Sequence, residues 1–152
     1  MDTVAAELRL PDAGDLEFLW RLHRETMKDY VDQTWGWNET WQREYFDRHF
    51  DSILDPGLAQ IIQIGGQPIG FISVRRTGNE IFLGAIEIAT EFQNRGIGSG
   101  LIKRLLAESD RQRIPVRLSV LKVNPAQKLY QRLGFERIEE TATHFVMQRR
   151  PV

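Results

Sequence analysis

The sequence contains no cysteine, and this absence excludes several kinds of chemistry. Without thiols the chain can form no disulfide bond, no thiolate metal site and no covalent cysteine intermediate. The three histidines, His23, His49 and His144, lie too far apart in the sequence to indicate a local zinc pair. We therefore expect neither a resident metal ion nor thiol catalysis.

Long apolar runs are also missing. No stretch approaches the roughly 20 apolar residues of a membrane-spanning helix, and Met1 is not followed by a charged and then apolar secretory leader. We expect a cytoplasmic protein with no membrane partner. A basic stripe interleaved with aromatic residues is absent too, so nucleic acid is not an expected partner.

The 152 residues fit a single domain, 1–152, that is long enough to bury one core. The net charge is −1, but residues 1–60 contain 13 Asp and Glu against 6 Lys and Arg. Residues 95–137 reverse this balance, with 10 Lys and Arg against 3 Asp and Glu. A basic segment suits a polyanionic cofactor and an acidic one suits an amine acceptor, although the same charges could simply lie on solvated helix faces.

A glycine-rich turn stands between an apolar strand and an amphipathic helix. Gly96, Gly98 and Gly100 occupy the turn and the helix start, and Arg95 precedes them. The first turn of a helix leaves N–H groups without partners and carries about half a positive charge. Because glycines let an anion approach those groups closely, the turn predicts a phosphate or pyrophosphate site.

The spacing of this turn excludes two familiar nucleotide motifs. A dinucleotide fingerprint needs a third glycine where the chain has Leu101, and a triphosphate loop needs Gly-Lys-Ser/Thr, which is absent. What remains is Gln93-x-x-Gly96-x-Gly98 after a strand. Taken alone, this pattern also fits a turn with no ligand.

Periodicity and turn residues predict alternating helices and strands. A helix from Asp12 places His23 among apolar residues, where we expect a packed, hydrogen-bonded histidine rather than a catalytic one. We assign no role to His144, on an exposed or edge-like strand. A second helix at 39–51 is expected to bury its aromatic residues, Trp41, Tyr45, Phe46, His49 and Phe50. Strands are predicted at 4–10, 58–64, 68–75, 81–89, 115–121, 135–139 and 143–149.

Residues 29–38 are predicted to form a loop between the first two helices, with a turn at Gly36 and a helix cap at Asn38. The segment contains Tyr30, Trp35 and Trp37. Aromatic rings in a loop give contact area and can face a cation, which suits a substrate pocket. The tryptophans could equally anchor the loop to the core.

Glu87 lies near the inner end of the apolar strand at 81–89. Strand alternation places it on one face with Leu83 and Ala85 unless a bulge intervenes. A carboxylate in this position is unfavourable unless it is paired, and it could serve as a general base. A surface salt bridge is the alternative interpretation.

A second motif follows the strand at 115–121. Asn124 suits a helix N-cap, Pro125 the first helical residue and Gly134 a helix stop, so a short helix is predicted to carry Tyr130. Asn124, then Tyr130, then Leu-Gly-Phe at 133–135, resembles a motif of the GCN5-related N-acetyltransferase (GNAT) family. The pattern from Gln93 to Gly98 resembles the acyl-coenzyme A pyrophosphate loop of the same family.

The resemblance covers essentially the whole chain. It implies the α+β GNAT fold, a mixed and mostly antiparallel sheet of about six to seven strands flanked by four helices and splayed where the cofactor arm inserts. It further implies an N-acetyltransferase that moves the acetyl group of acetyl-coenzyme A to a primary amine by direct attack. The acceptor would be a small amine or a protein amino group. A non-catalytic acyl-coenzyme A-binding regulatory module is the alternative.

The resemblance also implies roles for particular residues. Tyr130 would act as the general acid at the thiolate, Glu87 as the base, and Asn124 would hydrogen-bond the cofactor or the reaction site. Glu87 and the aromatic residues Tyr30, Trp35 and Trp37 would contact the acceptor. Thr90 stands where many members have proline. The cofactor would be bound by Ile88, Ala89, Thr90, Gln93, Asn94, Arg95, Gly96, Ile97, Gly98, Ser99, Asn124 and Tyr130. The chain is expected to be a monomer or a homodimer.

Overall fold

The computed structural model describes residues 5–55 and 57–152. The strands are β1 (Glu7–Arg9), β2 (Ala59–Ile64), β3 (Gln67–Arg76), β4 (Ile81–Ile88), β5 (Val116–Leu121), β6 (Glu136–Glu140) and β7 (His144–Arg149). The helices are α1 (Leu16–Trp35), α2 (Glu39–Ile53), α3 (Ile97–Gln112) and α4 (Gln127–Arg132), with short 3-10 turns at Ala13–Asp15 and Thr90–Phe92. The predicted mixed fold is confirmed. Part of the predicted first strand, including Val4, lies outside the described residues.

The seven strands form one sheet in the order β1-β2-β3-β4-β5-β7-β6. Its strand pairs are antiparallel apart from β4 and β5, which are parallel and joined through α3. Within the described chain, β4 and β5 pair only where Ile81–Leu83 faces Val116–Leu118. Beyond Leu83 the two strands separate, and a wedge opens in the middle of the sheet.

Apolar residues pack on both faces of the sheet. One face packs against α3 and α4 through residues such as Ile102, Leu118 and Met147. The other face packs against α1 and α2 in a smaller cluster that includes Leu22 and Phe50. The wedge therefore lies between two helical layers, and side chains from either layer can reach it.

A bulge in β4 changes which residues share a face. Val74 pairs with Leu83 and Ser73 pairs with Ala85, so Gly84 is an extra residue in β4. Because of this insertion, Leu83 packs on the α3 side, whereas Glu87 shares the α1 side with Ala85. Alternation was expected to place Glu87 with Leu83 and Ala85 unless a bulge intervened, and the bulge at Gly84 separates Glu87 from Leu83 but not from Ala85.

The predicted loop at 29–38 is mostly helical. Helix α1 continues to Trp35 and ends at Gly36, whose φ of 84° a glycine adopts without strain. The connection is therefore residues 36–38, and Asn38 caps α2 by accepting from the N–H of Trp41 at 2.8 Å, as predicted. The predicted loop was too long. Residues 29–35 contain no glycine or proline, so nothing in them breaks the helix before Gly36.

Two further expectations about burial are wrong. Trp41, Tyr45 and His49 form an exposed stack along α2 instead of core, since only the face with Phe46 and Phe50 turns inward. Strand β7 is internal, because β6 and not β7 forms the edge of the sheet.

Candidate functional site

A cavity of about 280 Å³ occupies the wedge between β4 and β5. Its walls come from α1, from the separated parts of β4 and β5, from the turn after β5, from α4 and from the start of β7. The lining residues are Met27, Val31, Trp35, Leu83, Gly84, Ala85, Ile86, Glu87, Leu118, Ser119, Val120, Leu121, Asn124, Tyr130 and His144.

The predicted anion loop lies beyond the end of β4 and leads into α3. Asn94 and Gly96 adopt positive φ angles of 62° and 79°, and Gly96 is the N-cap of α3. Among the described residues, no protein acceptor is found for the N–H groups of residues 94–99. Arg95 lies exposed over the ring of Phe92. The loop therefore presents free N–H donors beside a guanidinium group, an arrangement suited to an anion.

The end of β4 directs backbone groups into the wedge. The backbone N–H of Ala89 donates to the carbonyl of Ile69 at 2.8 Å. In an antiparallel pair, residues whose backbone groups face the partner strand alternate with residues whose backbone groups face away from it. The N–H and C=O of Ile88 therefore point away from β3, and the Gln93 amide donates to this carbonyl at 2.9 Å. The N–H of Thr90 instead donates to the Glu25 carboxylate at 2.8 Å. Three residues at the end of β4 were predicted to contact the cofactor: Ile88, Ala89 and Thr90. Of these, Ile88 is the one whose backbone N–H and C=O point towards the wedge.

Tyr130 reaches the cavity from α4. Its side chain is 8% exposed, and its ring packs edge-on against Phe135 with centroids 5.9 Å apart. Burial raises the pKa of the Tyr130 phenol above its ordinary value, and no protein partner for its hydroxyl is found in the described ranges. The helix stops at Gly134, which has a φ of 98°, as predicted. Tyr130 is therefore a protonated donor at neutral pH.

Asn124 lines the same cavity, and its side-chain oxygen accepts from the N–H of Ala126 at 2.9 Å. It caps the turn before α4, which begins at Gln127 rather than at Pro125. The buried Gln127 amide donates to the carbonyls of Lys122, at 2.8 Å, and Asn124, at 3.2 Å. Gln127 thus fixes the turn that holds Asn124. The sequence signal for it was a polar residue on the inward side of a short helix.

Glu87 lines the cavity from β4, with its side chain 13% exposed. One of its oxygens lies 3.3 Å from Nδ1 of His23 on α1. The His23 ring packs near Trp37 and Phe46, with centroids 6.3 and 6.0 Å away. A packed, hydrogen-bonded His23 is therefore confirmed, but its partner was not predicted.

The three aromatic residues that were predicted to contact the acceptor are Tyr30, Trp35 and Trp37, and they do not lie together in the structure. Trp35 lines the cavity, is 60% exposed, and has its ring 6.0 Å from that of His144. Trp37 stacks on Trp20 at 6.0 Å and donates to Glu39 at 2.6 Å. Neither Tyr30 nor Trp37 belongs to the described residues that line the cavity. Their contact with an acceptor stays a prediction.

Some lining residues were missed, among them Met27 and Val31. With the predicted Trp35 they follow one another at four-residue spacing on α1, which places all three on one helix face. This pattern is visible in the sequence once the helix is continued to Trp35. His144 was missed because its strand was expected at the edge of the sheet.

The described ranges, 5–55 and 57–152, lack two kinds of feature. No group of three or more His, Asp or Glu side chains there could hold a metal ion. None of the helices in those ranges is long and apolar enough to cross a membrane.

Solved structures of similar fold are acetyltransferases. PaiA N-acetyltransferase from Thermoplasma acidophilum, in complex with coenzyme A, is 20% identical with a TM-score of 0.76, over 96% of this chain and 99% of that one. An acetyltransferase from Thermus thermophilus is 18% identical with a TM-score of 0.76, over 99% of each chain. The ribosomal-protein-S18-alanine N-acetyltransferase from Escherichia coli is 17% identical with a TM-score of 0.65, over 95% and 93% of the two chains.

Sequence comparisons place the chain in a family. None of the curated proteins compared with it matches. A sequence model of the acetyltransferase (GNAT) family, in contrast, matches residues 17–135. This range includes both predicted motifs and well over half of the chain. The protein therefore belongs to the acetyltransferase (GNAT) family and is an acyltransferase.

Proposed function

We propose that this acyltransferase moves the acetyl group of acetyl-coenzyme A to the primary amine of a small molecule or of a protein. The observation that carries the proposal is the cavity between β4 and β5, where Glu87 and Tyr130 both lie on the walls. One wall thus provides a carboxylate that can accept a proton, and another provides a phenol that can donate one.

The residues present fit coenzyme A. Its pyrophosphate suits the free N–H groups of residues 94–99, where Gly96 has no side chain and Arg95 adds charge. The backbone of Ile88 suits the amides of the pantetheine arm, which the wedge has room to admit. When bound, acetyl-coenzyme A supplies the acetyl group as a thioester. The coenzyme A complex of the structurally similar PaiA N-acetyltransferase supports the same assignment.

The side chains of the cavity can move the two protons that the reaction requires. Glu87 accepts a proton from the incoming ammonium group, so the neutral amine nitrogen can form the new C–N bond. Tyr130 gives its phenolic proton to the leaving sulfur as the C–S bond breaks, and the second proton lost by the nitrogen as it becomes an amide restores the phenol. The raised pKa of Tyr130 keeps this proton in place at neutral pH. Asn124 keeps its side-chain N–H₂ group available for the cofactor or the reaction site.

The acceptor wall supports an amine flanked by apolar atoms. Met27 and Val31 line the cavity, and Trp35 lies at its exposed rim. Glu87 is the carboxylate on the described lining, so the amine has one anionic partner there. A cation that faces the ring of an aromatic residue at this wall would gain ~0.5–2 kcal/mol from that contact.

Thiol release is the experiment that tests the proposal. The protein is incubated with acetyl-coenzyme A and a panel of aliphatic amines, arylalkylamines and peptides with free amino groups, and the amide product is confirmed by mass spectrometry. We expect stoichiometric amide and free thiol with at least one class of amine. Binding of acetyl-coenzyme A without amide formation across the panel would contradict the proposal and favour the regulatory module.

A further inference from the structure

His23 is a polar group at the site that the proposed reaction leaves unused. It lies on α1, with Nδ1 3.3 Å from an oxygen of Glu87. The Glu87 side chain is 13% exposed and the His23 side chain 30% exposed. The pair therefore runs from the cavity wall towards solvent.

Two aromatic rings flank the His23 ring. Phe46 and Trp37 pack against the ring, and Trp37 is itself fixed by the Glu39 carboxylate at 2.6 Å. The charged side chains on α1 and α2 near these aromatic residues are paired with each other, as Arg24 with Glu39 and Arg43 with Glu17. On β4, the charged group that faces His23 is Glu87. The ionisable partner of His23 is thus the proposed base itself.

We propose that His23 acts through Glu87 and carries the proton from the Glu87 carboxyl group to solvent. This inference rests on the proposed function. Glu87 must lose each proton that it takes from an amine before it can act again, and its side chain, 13% exposed, has less access to water than that of His23, 30% exposed. The carboxyl O–H gives its proton to the imidazole nitrogen, which becomes imidazolium, and the imidazolium loses a proton to water. The carboxylate and a neutral ring are both restored, and the ring, whose side chain is 30% exposed, returns to its starting tautomer by proton exchange with water.

Two substitutions separate this role from a merely structural one. His23→Asn keeps a short amide that can hydrogen-bond Glu87 but cannot take up a proton. His23→Phe keeps an aromatic ring in the stack but removes the hydrogen bond. We expect His23→Asn to lower kcat about tenfold, with little change in the KM for acetyl-coenzyme A. We also expect its rate to increase with the concentration of added imidazole, which can take the proton instead.

The outcomes distinguish this inference from the proposed function. If His23→Asn keeps the wild-type kcat and pH profile while His23→Phe loses activity, His23 only holds Glu87 and the inference is overturned alone. Absence of imidazole rescue in His23→Asn would overturn it too. Failure of the wild-type protein to release thiol with any amine would overturn the proposed function and the inference together. Thermal unfolding checks that each variant folds, and His23→Gln replaces His23→Asn in the same assay if the latter does not.

Discussion

The proposed cofactor side and the proposed acceptor side of the cavity are built in different ways. The cofactor side consists mainly of backbone groups, namely the N–H groups of residues 94–99 and the end of β4. The acceptor side consists of side chains from α1, β4, β5 and β7. Backbone sites require glycines and caps at fixed spacing, so the sequence contains them as a local motif. Side-chain sites depend on the length of a helix and on strand register, which no short motif contains.

The largest effect on cofactor binding is expected at the backbone site. Gly96→Glu places an anionic side chain where the free N–H groups meet the pyrophosphate, at a φ of 79°. Acetyl-coenzyme A binding should weaken by roughly 100-fold, about 2.7 kcal/mol, in isothermal titration calorimetry. Gly66→Glu is a matched control, because Gly66 has a φ of 80° and open space around its Cα in the β2–β3 turn.

The two glycine variants should lose similar folding stability, since both carry the same backbone strain and the same added charge. If Gly66→Glu weakened acetyl-coenzyme A binding as much as Gly96→Glu does, the loss of affinity would reflect general destabilisation of the fold. The assignment of the anion site to residues 94–99 would then fail.

A large effect on catalysis is expected at Tyr130. Tyr130→Phe removes the proton donor but keeps the ring that packs on Phe135. We expect kcat to fall by roughly 10²–10³-fold, with unchanged affinity for acetyl-coenzyme A, measured by thiol release and calorimetry. Tyr45→Phe, on the exposed face of α2, is the control and should leave both quantities unchanged. Full turnover by Tyr130→Phe would remove Tyr130 from the mechanism.

Trp35 and Trp37 are both predicted to contact the acceptor, and we expect them to differ in role. Trp37→Ala removes the stacking on Trp20 and should lower the free energy of unfolding by about 2–3 kcal/mol in urea denaturation. Trp35→Ala, at the exposed rim, should change stability little but raise the KM of the acceptor several-fold. The reverse pattern would place the acceptor against Trp37, as the sequence analysis allowed.

The smallest effect is an alkaline loss of stability. Burial raises the pKa of Tyr130 above the ordinary 10.0, so the unfolded chain ionises first as the pH rises. The stabilising contribution is complete below pH 10 and is lost as the pH rises through the value in the folded protein. The wild type should therefore lose stability relative to Tyr130→Phe as the pH rises above 10 in urea denaturation. A difference that does not depend on pH would show that the phenol is not buried in solution.

Much of the fold could be predicted because its signals are local. The turn at Gly36, the cap at Asn38 and the stop at Gly134 all occur where expected. The strands at 58–64, 68–75, 81–89 and 115–121 were also predicted, since strand alternation is strong there.

The missed features depend on tertiary structure. The bulge at Gly84 turns Glu87 towards α1, and a lone glycine in a strand does not reveal where an insertion falls. Glu87 and His23 are 64 residues apart in sequence, so only the folded chain brings them together. His144 lines the cavity because β7 lies between β5 and β6, an order that the sequence does not specify.

Thermal unfolding with acetyl-coenzyme A tests the central claim most directly, with NAD and ATP as controls. At a ligand concentration ~100 times the dissociation constant, binding adds about 2.7 kcal/mol, which raises the unfolding temperature by very roughly 5–10 °C for a chain of this size. We predict this increase with acetyl-coenzyme A and none with NAD or ATP. No increase at millimolar acetyl-coenzyme A would contradict the anion site at residues 94–99, and the roles of Tyr130 and Glu87 would lose their basis.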